Sequence, residues 1–108
     1  MSVYFREIEQ GMDIGFLAKL DQAREIAAIP FNINSALRSP EKNAAVGGKP
    51  NSSHLKGLAV DISATDSRTR FIVLQSLIAV GFTRIGIADT FIHVDNDKEK
   101  SQNVIWTY

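Results

Sequence analysis

Residues 52–61 read SSHLKGLAVD, a polar turn that runs directly into an alternating apolar segment. Period-two alternation predicts a β-strand over residues 58–62. The apolar residues of this strand face one side of the sheet, and Asp61 shares the other side with glycine and alanine neighbours. Because small neighbours leave open space beside Asp61, His54 has room to fold back over the sheet from the glycine-containing turn.

A second histidine lies in a similar setting, in residues 91–95, which read FIHVD. His93 and Asp95 are two residues apart on a predicted strand, so both side chains point to one face. Two imidazoles and the Asp61 carboxylate on a sheet surface make a three-ligand zinc site with an open fourth position. A structural histidine, or a simple histidine–aspartate hydrogen bond, explains the same residues, and spacing alone does not choose between these explanations.

The rest of the chain predicts two helices and three more strands. Helical spacing of apolar residues predicts helices over residues 16–28 and 68–80, capped by Asp13 and Ser67. Alternation or short apolar runs predict the remaining strands, over residues 31–36, 84–87 and 104–106. Residues 39–53 are rich in proline, glycine and serine, and are expected to form a loop.

The order of these elements indicates an α+β fold. Helices and strands do not alternate, and the later strands are joined by connections of a few residues. Parallel pairing needs crossovers of a dozen residues or more. We therefore expect a small antiparallel sheet with two main helices packed on one face. Trp106 and Tyr108 either complete the core or line a cleft, and core is the preferred interpretation.

Composition excludes several classes of function. With 108 residues, the chain has room for one domain, residues 1–108. Twelve basic and twelve acidic residues give a formal charge of zero, which argues against nucleic-acid binding and against an anionic membrane surface. The absence of cysteine excludes thiol nucleophiles and Cys-ligated metals. No apolar stretch approaches ~18 residues, so no membrane span is expected.

Residues 52–61 fit the pattern S-x-H-x-x-G-x-A-x-D, which resembles the signature of the zinc D-Ala-D-Ala carboxypeptidase family. This family includes small bacterial and phage peptidoglycan metallopeptidases, and is related to lysostaphin-type peptidases and hedgehog-type domains. The resemblance spans residues 31–95 in collinear order. Four further segments share it, at residues 35–40, 43–53, 81–86 and 91–95.

The resemblance implies a hedgehog/D-Ala-D-Ala-peptidase-like fold and a zinc metallopeptidase. His54, Asp61 and His93 would be the Zn²⁺ ligands. Arg38 would bind a substrate carboxylate or steady the oxyanion, and Ser52 would hydrogen-bond the substrate. The reaction implied is hydrolysis of an amide bond in peptidoglycan stem peptides or cross-links by a metal-activated water, as a carboxypeptidase or an endopeptidase. The alternative is a catalytically silent zinc-binding module of the same fold, which binds cell-wall peptides or a protein partner.

The catalytic base is the point at which this chain departs from many relatives. They place Glu or Asp three residues before the last histidine ligand, where this chain has Thr90. Asp89 is one residue off, whereas strand parity puts Asp95 on the metal face beside His93. Asp95 is therefore the expected base, and the alternative is that it orients a ligand.

The resemblance also implies a biological setting. Peptidoglycan peptides are the expected partners, and a monomer is expected. The N-terminus does not resemble a signal peptide. We therefore expect synthesis in the cytoplasm and action at the cell wall, as a phage or prophage lysis enzyme or as a truncated exported protein.

Overall fold

The computed structural model describes residues 2–108. Within that range the chain forms three helices and five strands, in the order α1 (Ile14–Ala27), β1 (Ile33–Ser35), α2 (Pro40–Ala45), β2 (Ala59–Ser63), α3 (Ser67–Ala79), β3 (Arg84–Ile87), β4 (Phe91–Asp95) and β5 (Val104–Thr107). Two short 3-10 turns complete it, at Arg6–Ile8 and Ser53–Lys56. Between residues 2 and 108, no helix is long and apolar enough to cross a membrane.

The five strands form one sheet in the order β1-β2-β4-β3-β5. All neighbours are antiparallel except β3 and β5, which are parallel. The predicted α+β class is thus confirmed, while the expectation of a purely antiparallel sheet is wrong at its last strand. The whole segment 88–103, which contains β4, connects β3 to β5 and is long enough for a parallel crossover.

The two faces of the sheet have different characters. One face carries fully buried aliphatic residues, including Val60, Ile62 and Val94. These residues form a single core cluster with Phe16 and Leu20 of α1 and with the apolar face of α3. Burial of each such side chain stabilises the fold by about 1.5–3 kcal/mol. Both main helices therefore lie on the apolar face, and the polar residues of the strands occupy the other.

Side-chain caps fix the helix starts. Asp13 Oδ2 accepts a hydrogen bond from the Phe16 amide at 2.8 Å, so the predicted cap of α1 is confirmed. The cap of α3 is Asp66 rather than Ser67, because Asp66 Oδ2 accepts from the amide of Thr69 at 3.1 Å.

The predicted loop over residues 39–53 contains a short helix, α2. Ser39 Oγ accepts from the amide of Lys42 at 3.1 Å, and Pro40 stands at the start of the helix. A serine cap followed by proline is a helix-start signal, which the overall composition of the segment concealed.

Candidate metal centre

The centre is built on one row of residues that runs across the polar face of the sheet. Asp61 of β2 pairs with His93 of β4, and His93 pairs with Gly86 of β3. Gly86 in turn pairs with Trp106 of β5. Since paired residues in neighbouring strands share a face, two of the predicted ligands are adjacent because of strand register alone.

His54 reaches this row from the 3-10 turn that precedes β2. Ser52 caps the turn, with its Oγ accepting from the His54 amide at 3.3 Å. Gly57 ends the turn with φ of +69°, and a Cβ there would lie 2.5 Å from the carbonyl oxygen of Gly11. Only glycine satisfies both conditions, so the predicted turn forms and folds His54 back over the sheet.

The ring nitrogens of His54 have different partners, and only one of them faces the other candidate ligands. Its Nδ1 lies 2.8 Å from the carbonyl oxygen of Ala36. A carbonyl oxygen only accepts, so Nδ1 carries a proton, and Nε2 is the nitrogen that a metal would take in place of a proton. This Nε2 lies 3.3 Å from Asp61 Oδ1.

Asp61 lies between the two histidines. Its Oδ1 is 2.9 Å from Nδ1 of His93 as well as 3.3 Å from Nε2 of His54. Burial by itself raises the pKa of Asp61, but the hydrogen bonds from His54 and His93 outweigh it and hold the pKa at about 2. The carboxylate is therefore ionised at neutral pH, as a metal ligand must be.

The three side chains could hold a metal ion. One ligand atom from each of His54, Asp61 and His93 can be chosen so that all lie within 4.8 Å of one another. Two neutral imidazole nitrogens and one carboxylate oxygen are a donor set that Zn²⁺ takes in catalytic sites.

Asp95 and Arg84 support His93 from the side away from Asp61. Asp95 Oδ2 lies 2.7 Å from His93 Nε2, and Arg84 Nε donates to Asp95 Oδ1 at 2.7 Å. Burial disfavours the charged forms of His93 and Asp95, yet hydrogen bonds with Asp61 and Asp95 raise the pKa of His93, and the hydrogen bond with His93 lowers the pKa of Asp95. Strand parity thus correctly places His93 and Asp95 together.

Arg38 also lies beside the centre. Its Nη2 is 3.4 Å from Asp61 Oδ2. The guanidinium is held by Ser35 Oγ, which accepts from Nε at 3.0 Å, and by Asn43 Oδ1, which accepts from Nη1 at 3.3 Å. Arg38 and Ser52 both line the same cleft as the candidate metal ligands.

The other candidate carboxylate, Asp89, is exposed on the connection between β3 and β4. Neither Asp89 nor Thr90 belongs to the cleft lining that residues 2–108 provide, whereas Asp95 does. The structure therefore brings five of the predicted site residues together with Asp95 and leaves Asp89 outside.

A third aspartate, which the sequence reasoning missed, anchors the turn that carries His54. Asp97 is 1% exposed, and its Oδ2 accepts from Ser53 Oγ at 2.8 Å and from Lys56 Nζ at 3.0 Å. Lys100 Nζ also donates to Ser53 Oγ, at 2.9 Å. Ser53 and Lys56 lie more than forty positions from Asp97 in the sequence, so no local pattern predicts these contacts.

The position of Arg84, by contrast, is predictable from strand parity, because Arg84 lies two residues before Gly86 and therefore on the same face of the sheet.

The cleft has a volume of about 860 Å³. Trp106 and Tyr108 line it, so the preferred interpretation of these residues as core is wrong. Trp106 is half-buried and Tyr108 is exposed. The reason is the parallel register of β5, which sets Trp106 beside Gly86 on the polar face of the sheet.

A family model described as Peptidase M15 matches residues 1–95. The chain belongs to the peptidase M15 family. M15 peptidases are metallopeptidases, and the predicted relationship to zinc D-Ala-D-Ala carboxypeptidase-like enzymes is confirmed. The matched residues include every candidate metal ligand but not β5, which follows them.

Among solved structures, the chain is similar to the L-Ala D-Glu endopeptidase ChiX of Serratia marcescens, with a TM-score of 0.58 and 17% identity. The similarity covers 74% of this chain and 69% of that one. At this identity the comparison shows a shared fold. A search among curated proteins found no match.

Proposed function

We propose that this M15 family member is a zinc metallopeptidase that hydrolyses an amide bond in peptidoglycan stem peptides or cross-links. The observation that carries the proposal is the pair of histidine nitrogens that converge on one Asp61 oxygen at the floor of an open cleft. Each histidine has its other ring nitrogen held by an oxygen acceptor, which orients both rings toward the same point.

Zinc bound by His54, Asp61 and His93 would supply Lewis-acid activation of a water and of the scissile carbonyl. The chain's own residues do the remaining work. Arg38 lies at the edge of the centre with its guanidinium held in place, where it binds a substrate carboxylate or the developing oxyanion. Ser52, which lines the cleft beside His54, hydrogen-bonds the substrate's peptide or carboxylate group.

For Asp95 we propose a role through His93. By accepting the Nε2 proton, Asp95 would leave Nδ1 of His93 as the nitrogen that binds the metal. A direct role as base would use the second lone pair of Asp95 Oδ2, because Oδ1 already accepts from Arg84 and from the amide of Asp97. The two roles predict different effects of an Asp95 substitution on zinc affinity.

The experiment that tests the proposal is digestion of purified peptidoglycan and of soluble muropeptides by the zinc-loaded protein, with products identified by mass spectrometry. We expect a new amine and carboxylate, with loss of the reaction in His54→Ala and after chelation. The product masses distinguish a carboxypeptidase, which releases a terminal amino acid, from an endopeptidase, which cuts within the stem or a cross-link. Absence of products from every digest overturns the proposal.

The alternative function is a zinc-binding module that recognises cell-wall peptides or a protein partner without turnover. One observation favours it: both Asp95 oxygens are already engaged, by His93 on one side and by Arg84 on the other. Tight binding of muropeptides by a zinc-loaded protein that forms no products would support this alternative.

A further inference from the structure

Three aromatic residues form one end of the cleft, on the side of β5. Phe91, Trp106 and Tyr108, which we call the aromatic corner, all line the cleft. Phe91 and Tyr108 are 5.3 Å apart between ring centroids, and Trp106 lies 5.6 Å from the ring of His93. The corner is therefore directly next to a candidate metal ligand.

Gly86 makes this position of Trp106 possible. A Cβ built on Gly86 would lie 2.6 Å from Trp106 Nε1 and 2.7 Å from Cε2, so any side chain there would displace the indole. The guanidinium of Arg84 lies 5.0 Å from the indole ring and helps to fix it. Trp106 is thus held in one position in the cleft. Tyr108, which is 69% exposed, supplies the aromatic surface that a ligand can contact.

The rings form a corner rather than a flat platform. Phe91 and Tyr108 are inclined at 62° to each other, and Trp106 is inclined at 49° to His93. A sugar ring stacks best on one flat aromatic surface, whereas two inclined rings enclose a compact aliphatic group on two sides.

The opposite side of the cleft has the opposite chemistry. Arg38, which donates to Ser35 of β1 and lies 3.4 Å from Asp61, lines the cleft on the side of β1. A peptide that directs its carboxylate toward this cation presents its other side to the aromatic corner.

We propose that the aromatic corner is the subsite for the aliphatic side chain of the residue on one side of the scissile bond, and that Tyr108 determines this preference. The inference rests on the proposed function, because it takes the ligand of the cleft to be a peptide. Contact is made by the Tyr108 ring, so the hydroxyl group is dispensable for it.

Trp106 is the only tryptophan of the chain, so its fluorescence reports occupancy of the cleft directly. The zinc-loaded protein is titrated with acetyl-D-Ala-D-Ala and with acetyl-Gly-Gly, which share the terminal carboxylate and differ only in methyl groups. We expect the alanine peptide to bind more tightly by about fourfold for each methyl group that is buried. Tyr108→Ala should bring the ratio of the two affinities close to one, and Tyr108→Phe should keep it.

The matched control is Phe71→Ala, which removes a 65% exposed aromatic ring from α3 on the other side of the sheet and should leave the ratio unchanged. Equal affinities in the wild type, binding of neither peptide at millimolar concentration, or a ratio unaffected by Tyr108→Ala overturns the inference. An affinity ratio close to one in Tyr108→Phe also overturns the inference, because it would show that the peptide contacts the hydroxyl group. Tighter binding of N-acetylglucosamine than of either peptide overturns it in favour of a sugar site.

Hydrolysis of muropeptides, measured on the same samples, separates this inference from the proposed function. Binding that depends on the methyl groups, without formation of products, contradicts the proposed hydrolase and supports the subsite. Product formation, together with binding that does not depend on Tyr108, supports the hydrolase and contradicts the subsite.

Discussion

Asp95 has both of its carboxylate oxygens engaged within the protein, and this bears on what it does. One oxygen lies 2.7 Å from His93 Nε2, and the other accepts from Arg84 and from the backbone amide of Asp97. A carboxylate held in this way fixes the tautomer of a metal-bound histidine, and loss of such a partner typically costs about 10- to 100-fold in metal affinity. The sequence placed Asp95 beside His93 by parity, but it did not show that Arg84 occupies the second oxygen.

We therefore predict that Asp95→Ala lowers zinc affinity by about 10- to 100-fold, because His93 loses the partner that orients it. Competition for zinc with a coloured chelator measures the affinity, and circular dichroism checks that the variant folds. Asp89→Ala removes an exposed carboxylate outside the cleft and should leave affinity unchanged. Wild-type affinity in Asp95→Ala, together with lost hydrolysis, would instead assign Asp95 to the role of base.

The parallel pairing of β5 with β3 places Trp106 at one end of the cleft. Gly86 is required for this arrangement, because the Trp106 ring packs directly against it. Gly86→Ala places a Cβ within 3 Å of the Trp106 ring, which must then move. We predict a destabilisation of about 1–3 kcal/mol, the usual cost of overpacking. Chemical denaturation measures it in a double-mutant cycle with Trp106→Leu, in which the alanine should cost much less. Equal costs in both backgrounds would show that the indole is not what the methyl group meets.

The connection after β4 is tied to the turn that carries His54 by Asp97, and this link should respond to pH. Burial raises the pKa of Asp97, but hydrogen bonds from Ser53 and Lys56 outweigh it and lower the pKa below its usual value. A lowered pKa means that the stabilisation is complete above the unfolded value of about 3.9 and is lost as pH falls toward the folded pKa.

We predict that wild-type stability falls more steeply below about pH 4 than that of Asp97→Asn, which has no charge to lose at this position. Thermal melting from pH 7 to pH 3, with a chelator present to remove metal, measures both proteins. Asp61 and Asp95 titrate in the same direction in both, so the difference between the two curves belongs to Asp97. Parallel curves would contradict the prediction.

Local patterns predicted β3 and β4 with the residues that the structure shows, because a short hairpin leaves little freedom of register. They also predicted that His54, Asp61 and His93 lie together, since these residues are on a turn and two strands whose faces follow from parity. The direction of β5 and the Asp97 cluster depend on contacts between distant parts of the chain. Those contacts exist only once the sheet has formed, so no periodicity in the sequence predicts them.

Within residues 2–108, both main helices lie on one face of the sheet, and the candidate metal centre lies on the other, at the cleft that Asp61 and His93 line. A metal there joins the Ser53–Lys56 turn to β2 and β4, so binding should stabilise the fold as well as form the site. At a free zinc concentration of 1,000 times Kd, linkage gives about 4 kcal/mol. For a chain of this size, that gain raises Tm by roughly 15 to 30 °C.

The check is a melting series with zinc, with magnesium and with chelator, in the wild type and in two variants. His54→Ala should lose the zinc-dependent shift, because only two of the three ligands remain, whereas Phe71→Ala should keep it since its side chain lies on α3. Magnesium should give little shift, because imidazole nitrogens are poor ligands for it. A zinc shift of full size in His54→Ala would place the bound metal elsewhere and remove the basis of the proposed hydrolase, and a wild type that zinc does not stabilise would do the same.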